Sequence, residues 1–239
     1  VSSWDSLNSD CASREKEICK KYNRLARGYD DIFTSPINRA EDDIVGNLVS
    51  NLVKKKHPRI LDLGCGTGMI LNYISAKNYK GIDISDKMIG IAKENFPEGK
   101  FTIGDMNELI KDERSNSYDL VISLFNSYSY SDNPFKLSRE MRRILKKGGK
   151  FVAMCYNTRV KNGILISHTT YDSRLSLAYD KYMLNLTFGN FDNLKIYGLN
   201  YFGNLMPSLN GRYLRTEFNL MNWAFQDWAR HTIIVGEKL

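Results

Sequence analysis

The stretch ILDLGCGTG, residues 60–68, sets three glycines within five positions directly behind a short apolar run. Glycine weakens strands and helices alike. Gly64, Gly66 and Gly68 therefore mark a backbone that must bend tightly or let something lie against it. The run is of strand length, and in the following TGMILNYISAK, Met69, Ile70, Tyr73 and Ile74 fall on one helical face. A strand turning through glycines into a helix is where open α/β sheets hold ligands, beyond the carboxyl ends of the strands. A turn with no ligand is the competing structural reading.

The alternation continues downstream. YKGIDIS reads as a second strand, and SDKMIGIAKENF as a helix capped by Ser85 or Asp86, with Met88, Ile91 and Ala92 inward and Pro97 closing it. KFTIGD is a third strand and MNELIKD a short helix or turn. YDLVISLF, the most β-branched and apolar strand, is expected at the sheet centre. KLSREMRRILKKGG predicts an amphipathic helix ending at Gly148-Gly149, before a fifth strand, KFVAMCY. Strand–helix repetition at this spacing predicts an α/β fold with a doubly wound, Rossmann-like parallel sheet. Ahead of it, SREKEICKKYNRLARGYDDIF and NRAEDDIVGNLVSNLVKKK read as helices, the second burying Ile44, Leu48 and Leu52. Behind it come YDSRLSLAYDKYMLNLTF as helix, LKIYGLNYFG as strand, YLRTEFNLMNWAFQDWAR as helix and HTIIVGEKL as a closing strand. A single domain over 1–239 is expected: a helical cap (1–56), a ligand-binding core (57–155), and a lid with the last strands (156–239).

The chain of 239 residues carries a net charge of +7. Between Lys136 and Lys161 stand nine Lys/Arg against one acid, Glu140, which leaves the rest close to neutral. That basic helix is either a solvated face or a phosphate-binding surface. No apolar run approaches the roughly 18 residues of a membrane span, and VSSWDSLNSD has neither a basic start nor an apolar core of a secretory leader. Cys11, Cys19, Cys65 and Cys155 are scattered, without a C-x-x-C pair or zinc-type grouping. Free thiols, no metal centre and a cytoplasmic location are the expectation.

Two cofactor classes fail on the glycine turn. The nicotinamide fingerprint needs glycine at position 69, where Met69 stands, and the P-loop needs a Gly-Lys-Ser/Thr that the chain lacks. The pattern present is acid-x-G-x-G-x-G, with Asp62 as the acid, and LDLGCGTG resembles motif I of the class I S-adenosylmethionine (SAM)-dependent methyltransferases. GIDIS resembles that family's second motif, which implies that Asp83 holds both ribose hydroxyls, with Ile84 beside it and Met88 near the adenine. GDM resembles the third, which implies Gly104, Asp105 accepting from the adenine amino group, and the Met106 backbone aligning the ring. REMRRILKKGGKFV resembles the segment before strand five, with Lys147 in place of the usual proline. HTIIVGEK resembles the antiparallel seventh strand, so the resemblance implies a seven-stranded sheet that is parallel except at its last strand. YNRLARGYD resembles the entry segment of small-molecule members, which makes Tyr22 and Tyr29 cofactor contacts together with Asp62, Gly64, Cys65, Gly66, Gly68, Leu124 and Phe125. The cofactor implied is SAM, with S-adenosylhomocysteine (SAH) as product.

The residue chemistry agrees. A carboxylate at a strand's carboxyl end can take two charge-assisted hydrogen bonds from a diol, and Asp83 falls there. The acceptor belongs at the loop after strand four, Phe125, Asn126, Ser127, Tyr128 and Tyr130, which has no acid or His before Asp132. That favours a nitrogen or acidic hydroxyl acceptor positioned by Asn126 and Tyr128. DNPF (132–135) resembles the signature of nucleic-acid and protein amino-methyltransferases but lies too far along; Asn133-Pro134 opening the basic helix is preferred. His57 and His231 read as structural, whereas His168 is a candidate for the site. Tyr171, Tyr201, Phe202 and Tyr213 wall a pocket or fill a core. The expected function is methyl transfer to a small molecule, without membrane involvement. An RNA methyltransferase, which the basic helix would serve, and a non-catalytic SAM-binding regulatory subunit are the alternatives.

Overall fold

Strands that are apolar on both faces need cover on both faces, and the order of elements supplies it. The computed structural model describes residues 3–32, 34–52, 55–75, 77–157, 159–161, 164–166, 175–199, 229 and 231–239. Helices α1 (Ser3–Leu25), α2 (Tyr29–Ile32) and α3 (Pro36–Leu52) precede β1 (Ile60–Leu63). Then follow β2 (Tyr79–Asp83), α4 (Asp86–Asn95), β3 (Lys100–Ile103), α5 (Met106–Leu109), β4 (Tyr118–Ser123), α6 (Pro134–Ile144) and β5 (Leu145–Asn157). A hairpin of β6 (Arg159–Lys161) and β7 (Ile164–Ile166) leads to β8 (Ala178–Tyr179), α7 (Lys181–Phe188), β9 (Asp192–Leu199) and β10 (His231–Glu237).

The sheet runs β3-β2-β1-β4-β5-β10-β9, with β4 at its centre as its composition predicts. β1 to β5 are parallel, and β10 is antiparallel to both β5 and β9. The two-residue β8 adds an eighth strand beside the end of β5. Side chains alternate between two apolar layers with the period of two that a pleat imposes. Val121, Phe151, Ala153 and Ile234 meet Met106, Leu137, Met141, Ile144, Leu184 and Phe188 on one face. Leu120, Ile122, Val152 and Ile233 meet Ile44, Val45 and Val49 of α3 on the other.

Several boundaries differ from the sequence reading. The basic helix stops at Ile144, and Leu145 already pairs with Tyr118. Gly148, at φ 74°, sits where the β4–β5 register shifts, inside the strand rather than at a helix end. The segment after the glycines is one short 3-10 turn, Met69–Asn72, that buries Ile70 and Leu71, in place of a helix. In α3 the buried line is Ala40, Ile44, Val45 and Val49, with Leu48 and Leu52 only half-buried. In α4, Ser85 is the cap and Ile89 takes the inward place expected of Ile91. The predicted helix over 171–188 is formed only from Lys181, behind an Asp180 cap; the predicted helix over 213–230 lies outside the described residues apart from Ala229.

DNPF is resolved by geometry: the Asn133 side chain accepts from the Lys136 N–H at 3.0 Å, with Pro134 at the first helical position. Part of the basic charge on α6 and at the start of β5 is also paired. Arg143 donates to the carbonyls of Glu113 and Ile110, Arg142 pairs with Asp192, and Lys146 with Asp119. Asn133→Ala should lower unfolding stability by about 1 kcal/mol in denaturant titration while leaving ligand affinity unchanged; a site role for this segment would instead show in affinity.

Candidate active site

A parallel sheet exposes strand ends and helix starts along one edge, and here that edge forms a cavity of about 810 Å³. The turn after β1 is pinned to β2, with the N–H groups of Gly64 and Cys65 both donating to the Ile82 carbonyl, at 2.7 and 3.0 Å. Gly64 adopts φ 79°, and a Cβ there would stand 2.5 Å from the Ser127 Cβ. Ser127 Oγ donates to the Gly64 carbonyl at 2.9 Å, which stitches the loop after β4 to the glycine turn. Gly66, at φ 54°, lines the cavity, and a Cβ there would meet nothing within 4 Å. Gly68 packs against Phe96 and is not on the wall, so its place is structural, unlike the contact expected of it.

The three motif acids stand on successive loops around this turn. Asp83, closing β2, accepts from the Gly66 N–H at 2.8 Å and the Ser85 N–H at 2.9 Å. Burial raises its pKa, and those two bonds oppose the rise. Two carboxylate lone-pair sites remain for a ligand. Asp62, only 3% exposed, accepts from the Tyr79 hydroxyl at 2.7 Å through Oδ2. Its Oδ1 has no partner, and burial pushes its pKa up to about 7 against the pull of the Tyr79 bond. Asp105 caps α5, accepting from the Asn107 N–H at 2.9 Å. Glu15 of α1 lies beside it, raised to about 7 by burial and then by the Asp105 charge.

Ile84, Met88, Gly104, Met106, Cys65, Leu124 and Phe125 all line the cavity, as do Tyr22 and Tyr29 from the N-terminal helices. Those helices are held by polar bonds. Asn23 donates to Asp86 at 2.6 Å and accepts from Ser85 Oγ at 2.5 Å, and Thr67 Oγ1 donates to Asp30 at 2.8 Å. Arg14 donates to the Leu175 carbonyl at 2.7 Å.

At the far end the loop after β4 carries consecutive non-glycine residues in the left-handed region, Phe125 at φ 49° and Asn126 at φ 66°. Asn126 lines the cavity and its Oδ1 lies 3.0 Å from His231 Nδ1. Tyr128 does not face the cavity as expected: it is fully buried beside Tyr179 and Phe188, and its hydroxyl donates to the Pro134 carbonyl at 2.6 Å. Tyr130 and Tyr156 stand on the wall instead. His231, read from sequence as structural, is on the wall. The signal was available, because an antiparallel closing strand brings its first residue, not its last, to the ligand edge. His57 is not on the wall, and His168, Tyr171, Tyr201, Phe202 and Tyr213 lie outside the described residues.

The wall is acidic although the protein is basic. Glu15, Asp30, Glu41, Asp42, Asp62, Asp83, Asp105 and Asp132 face it against Arg14 and Lys21. Asp42 is pushed up to about 7 by burial and then by Glu41, Asp43 and Asp30. Among the described residues no His, Cys, Asp or Glu cluster is arranged to hold a metal, and no helix is long and apolar enough to cross a membrane.

Comparison with known proteins agrees with this geometry. Residues 61–153 match the family model described as a methyltransferase domain. The matched residues run from β1 into β5, the part of the chain that carries the glycine turn and the three acids. A demethylmenaquinone methyltransferase of Thermotoga maritima is 29% identical over 145 residues, 59% of this chain and 62% of that protein. A ubiquinone/menaquinone biosynthesis C-methyltransferase of Campylobacter jejuni is 28% identical over 166 residues, 64% of this chain and 68% of that one. The alignment with the first thus spans less than two thirds of that relative. Among solved structures, a SAM-dependent methyltransferase of Thermotoga maritima described as a possible histamine N-methyltransferase superposes with a TM-score of 0.63 at 16% identity, covering 92% of this chain and 99% of that one. At that identity the likeness shows the fold.

In the glycine turn, Gly64 and Gly66 should respond differently to a single methyl. Gly64→Ala drives a Cβ into Ser127 and should cost more than about 2 kcal/mol of stability, strain and clash together. Gly66→Ala carries only the left-handed penalty of about 1–2 kcal/mol and should abolish ligand binding in a folded protein. Thermal melts with and without SAH separate the two.

Proposed function

We propose that the protein transfers the methyl group of SAM to a nitrogen or oxygen of a small molecule, releasing SAH. The observation that carries the reading is the unpartnered, buried Oδ1 of Asp62, on the same wall as the open carboxylate sites of Asp83 and the bare backbone at Gly66. A ligand bearing an ammonium, a ribose diol and an adenine amine matches those groups in kind: Asp62 for the ammonium, Asp83 for the diol, Asp105 for the adenine. Tyr22, Tyr29, Ile84, Met88 and Met106 supply the apolar and aromatic surround. A nicotinamide dinucleotide would bring two phosphate charges against a wall of carboxylates, and a polynucleotide would bring more. SAM supplies a sulfonium methyl open to in-line displacement; the residues' part is orientation, which is worth up to about 7–11 kcal/mol in such reactions. The free thiols of Cys19, Cys65 and Cys155 support placing this chemistry in the cytoplasm. Carbon as the accepting atom is a second reading, favoured by the relative named as a C-methyltransferase.

Calorimetric titration with SAM, SAH and NADH tests the cofactor. Micromolar SAM and SAH with no NADH is the expected result, and Asp83→Ala should lose most of that affinity while still folding, with a lowered melting temperature because the Gly66 and Ser85 N–H groups lose their acceptor. Binding of NADH alone would defeat the reading.

A pH series tests Asp62. An ammonium needs its carboxylate, and a carboxyl with a pKa of about 7 is protonated below that value. SAH affinity should therefore fall as pH drops from 7.5 to 5.5, by up to about tenfold per unit, and Asp62→Asn should bind weakly with most of that slope removed.

A further inference from the structure

We propose that His231, oriented by Asn126, takes the proton from the acceptor's nucleophile, so that the acceptor is a molecule that reacts after losing a proton from oxygen or nitrogen. The inference rests on the methyl-transfer reading above and adds a base that the loop after β4 lacks.

Topology places the imidazole. β10 runs against the parallel strands, and His231, its first residue, pairs with Tyr156 near the end of β5. It therefore emerges at the edge where β1, β2 and β4 end, and it lines the cavity there with Tyr156 and Asn126. Its companion is held at a conformational cost. Asn126 adopts φ 66° directly after Phe125 at φ 49°, each disfavoured for a side chain-bearing residue. Asparagine is the type that tolerates this region, and it commonly caps the turn that follows. Here the side chain makes no capping bond to the Ser127–Tyr130 turn. Its amide instead lies 3.0 Å from His231 Nδ1, with both residues under 10% exposed.

We take the amide oxygen as the acceptor in that pairing, which sets the roles of the two ring nitrogens. With the amide oxygen accepting, Nδ1 carries the hydrogen and Nε2 keeps the lone pair. Imidazole is also the side chain whose ordinary titration lies nearest neutrality. Three of the wall acids are bonded elsewhere, Asp105 to its cap, Asp30 to Thr67 and Asp83 to two backbone N–H groups; His231 is the wall group paired with the loop after β4, where the acceptor is expected. The proton balance is simple. The acceptor's O–H or N–H proton passes to Nε2, and the electron pair left behind forms the new bond to the methyl carbon. The carbon–sulfur pair stays on sulfur. The imidazolium returns its proton to water when product leaves.

Two probes that differ by one charge test this without knowledge of the acceptor. SAM has a cationic sulfonium where SAH has a neutral thioether. Histidine titration by nitrogen NMR on the wild-type protein, saturated with each in turn, reads tautomer and pKa together. There are three histidines, and loss of a signal in His231→Asn assigns the one of interest, with His57 as the internal control. A nearby sulfonium disfavours the imidazolium, so the His231 pKa should lie about 0.5–1 unit lower with SAM than with SAH, in the Nδ1–H tautomer, with His57 unmoved. Equal values in the two complexes, or an Nε2–H tautomer, would overturn the assignment while leaving the cofactor reading intact. Failure of both probes to bind would take the methyl-transfer reading down, and this inference with it.

Discussion

The carboxylate of Asp83 accepts from Gly66 at 2.8 Å and from Ser85 at 2.9 Å, and through these two bonds one side chain sets the shape of two crossover turns. The first pulls the glycine turn over the end of β2, and the second starts α4 at its Ser85 cap. Both N–H groups belong to turns that have left the sheet ladder, where an unpaired buried donor costs about 1–3 kcal/mol. The same carboxylate thus satisfies backbone and leaves acceptor sites toward the cavity. Ser127 extends the arrangement to the third strand end by holding the Gly64 carbonyl. The floor of the site is a closed set of backbone and side-chain bonds, and its ligand-facing atoms are those the set leaves over.

The distribution of charge follows a related logic. The excess of cations in the chain lies along α6 and the start of β5, where Arg142, Arg143 and Lys146 meet acids and carbonyls on the outside of the sheet. The carboxylates collect on the cavity wall, where burial first, and then the charge of neighbouring acids, raises Asp62, Asp42 and Glu15 each to about 7. Net charge alone suggests a partner for polyanions; the interior suggests a host for cations. The interior is the surface that meets the ligand, so it carries the functional argument.

Sequence made the strand–helix alternation, the central place of β4 and the glycine turn readable because these rest on local rules. Glycine spacing marks the turn, alternating burial marks the layers, and an acid at a strand end falls on the cavity wall. What escaped it depends on longer geometry. Gly148-Gly149 has the look of a helix end, yet serves a register shift that only the neighbouring strand defines. Tyr128 and Tyr130 share one 3-10 turn, and which of them turns inward depends on α7, whose Phe188 packs on Tyr128 at 4.9 Å between ring centroids. His231 sits far along the chain from Asn126, and the strand direction that unites them is a property of the whole sheet.

The cover formed by α1 and α2 differs from the rest of the molecule in what holds it. Ile18 and Ala26 are its buried apolar side chains among those described, while Arg14, Lys21, Asn23 and Asp30 make hydrogen bonds across the cavity mouth. Bonds of that kind trade almost evenly with water, each contributing about 1 kcal/mol net, whereas the sheet layers beneath would have to expose their apolar faces to move. What anchors the N-terminal segment over the cavity is accordingly a small set of polar latches, separable from the apolar layers that hold the sheet.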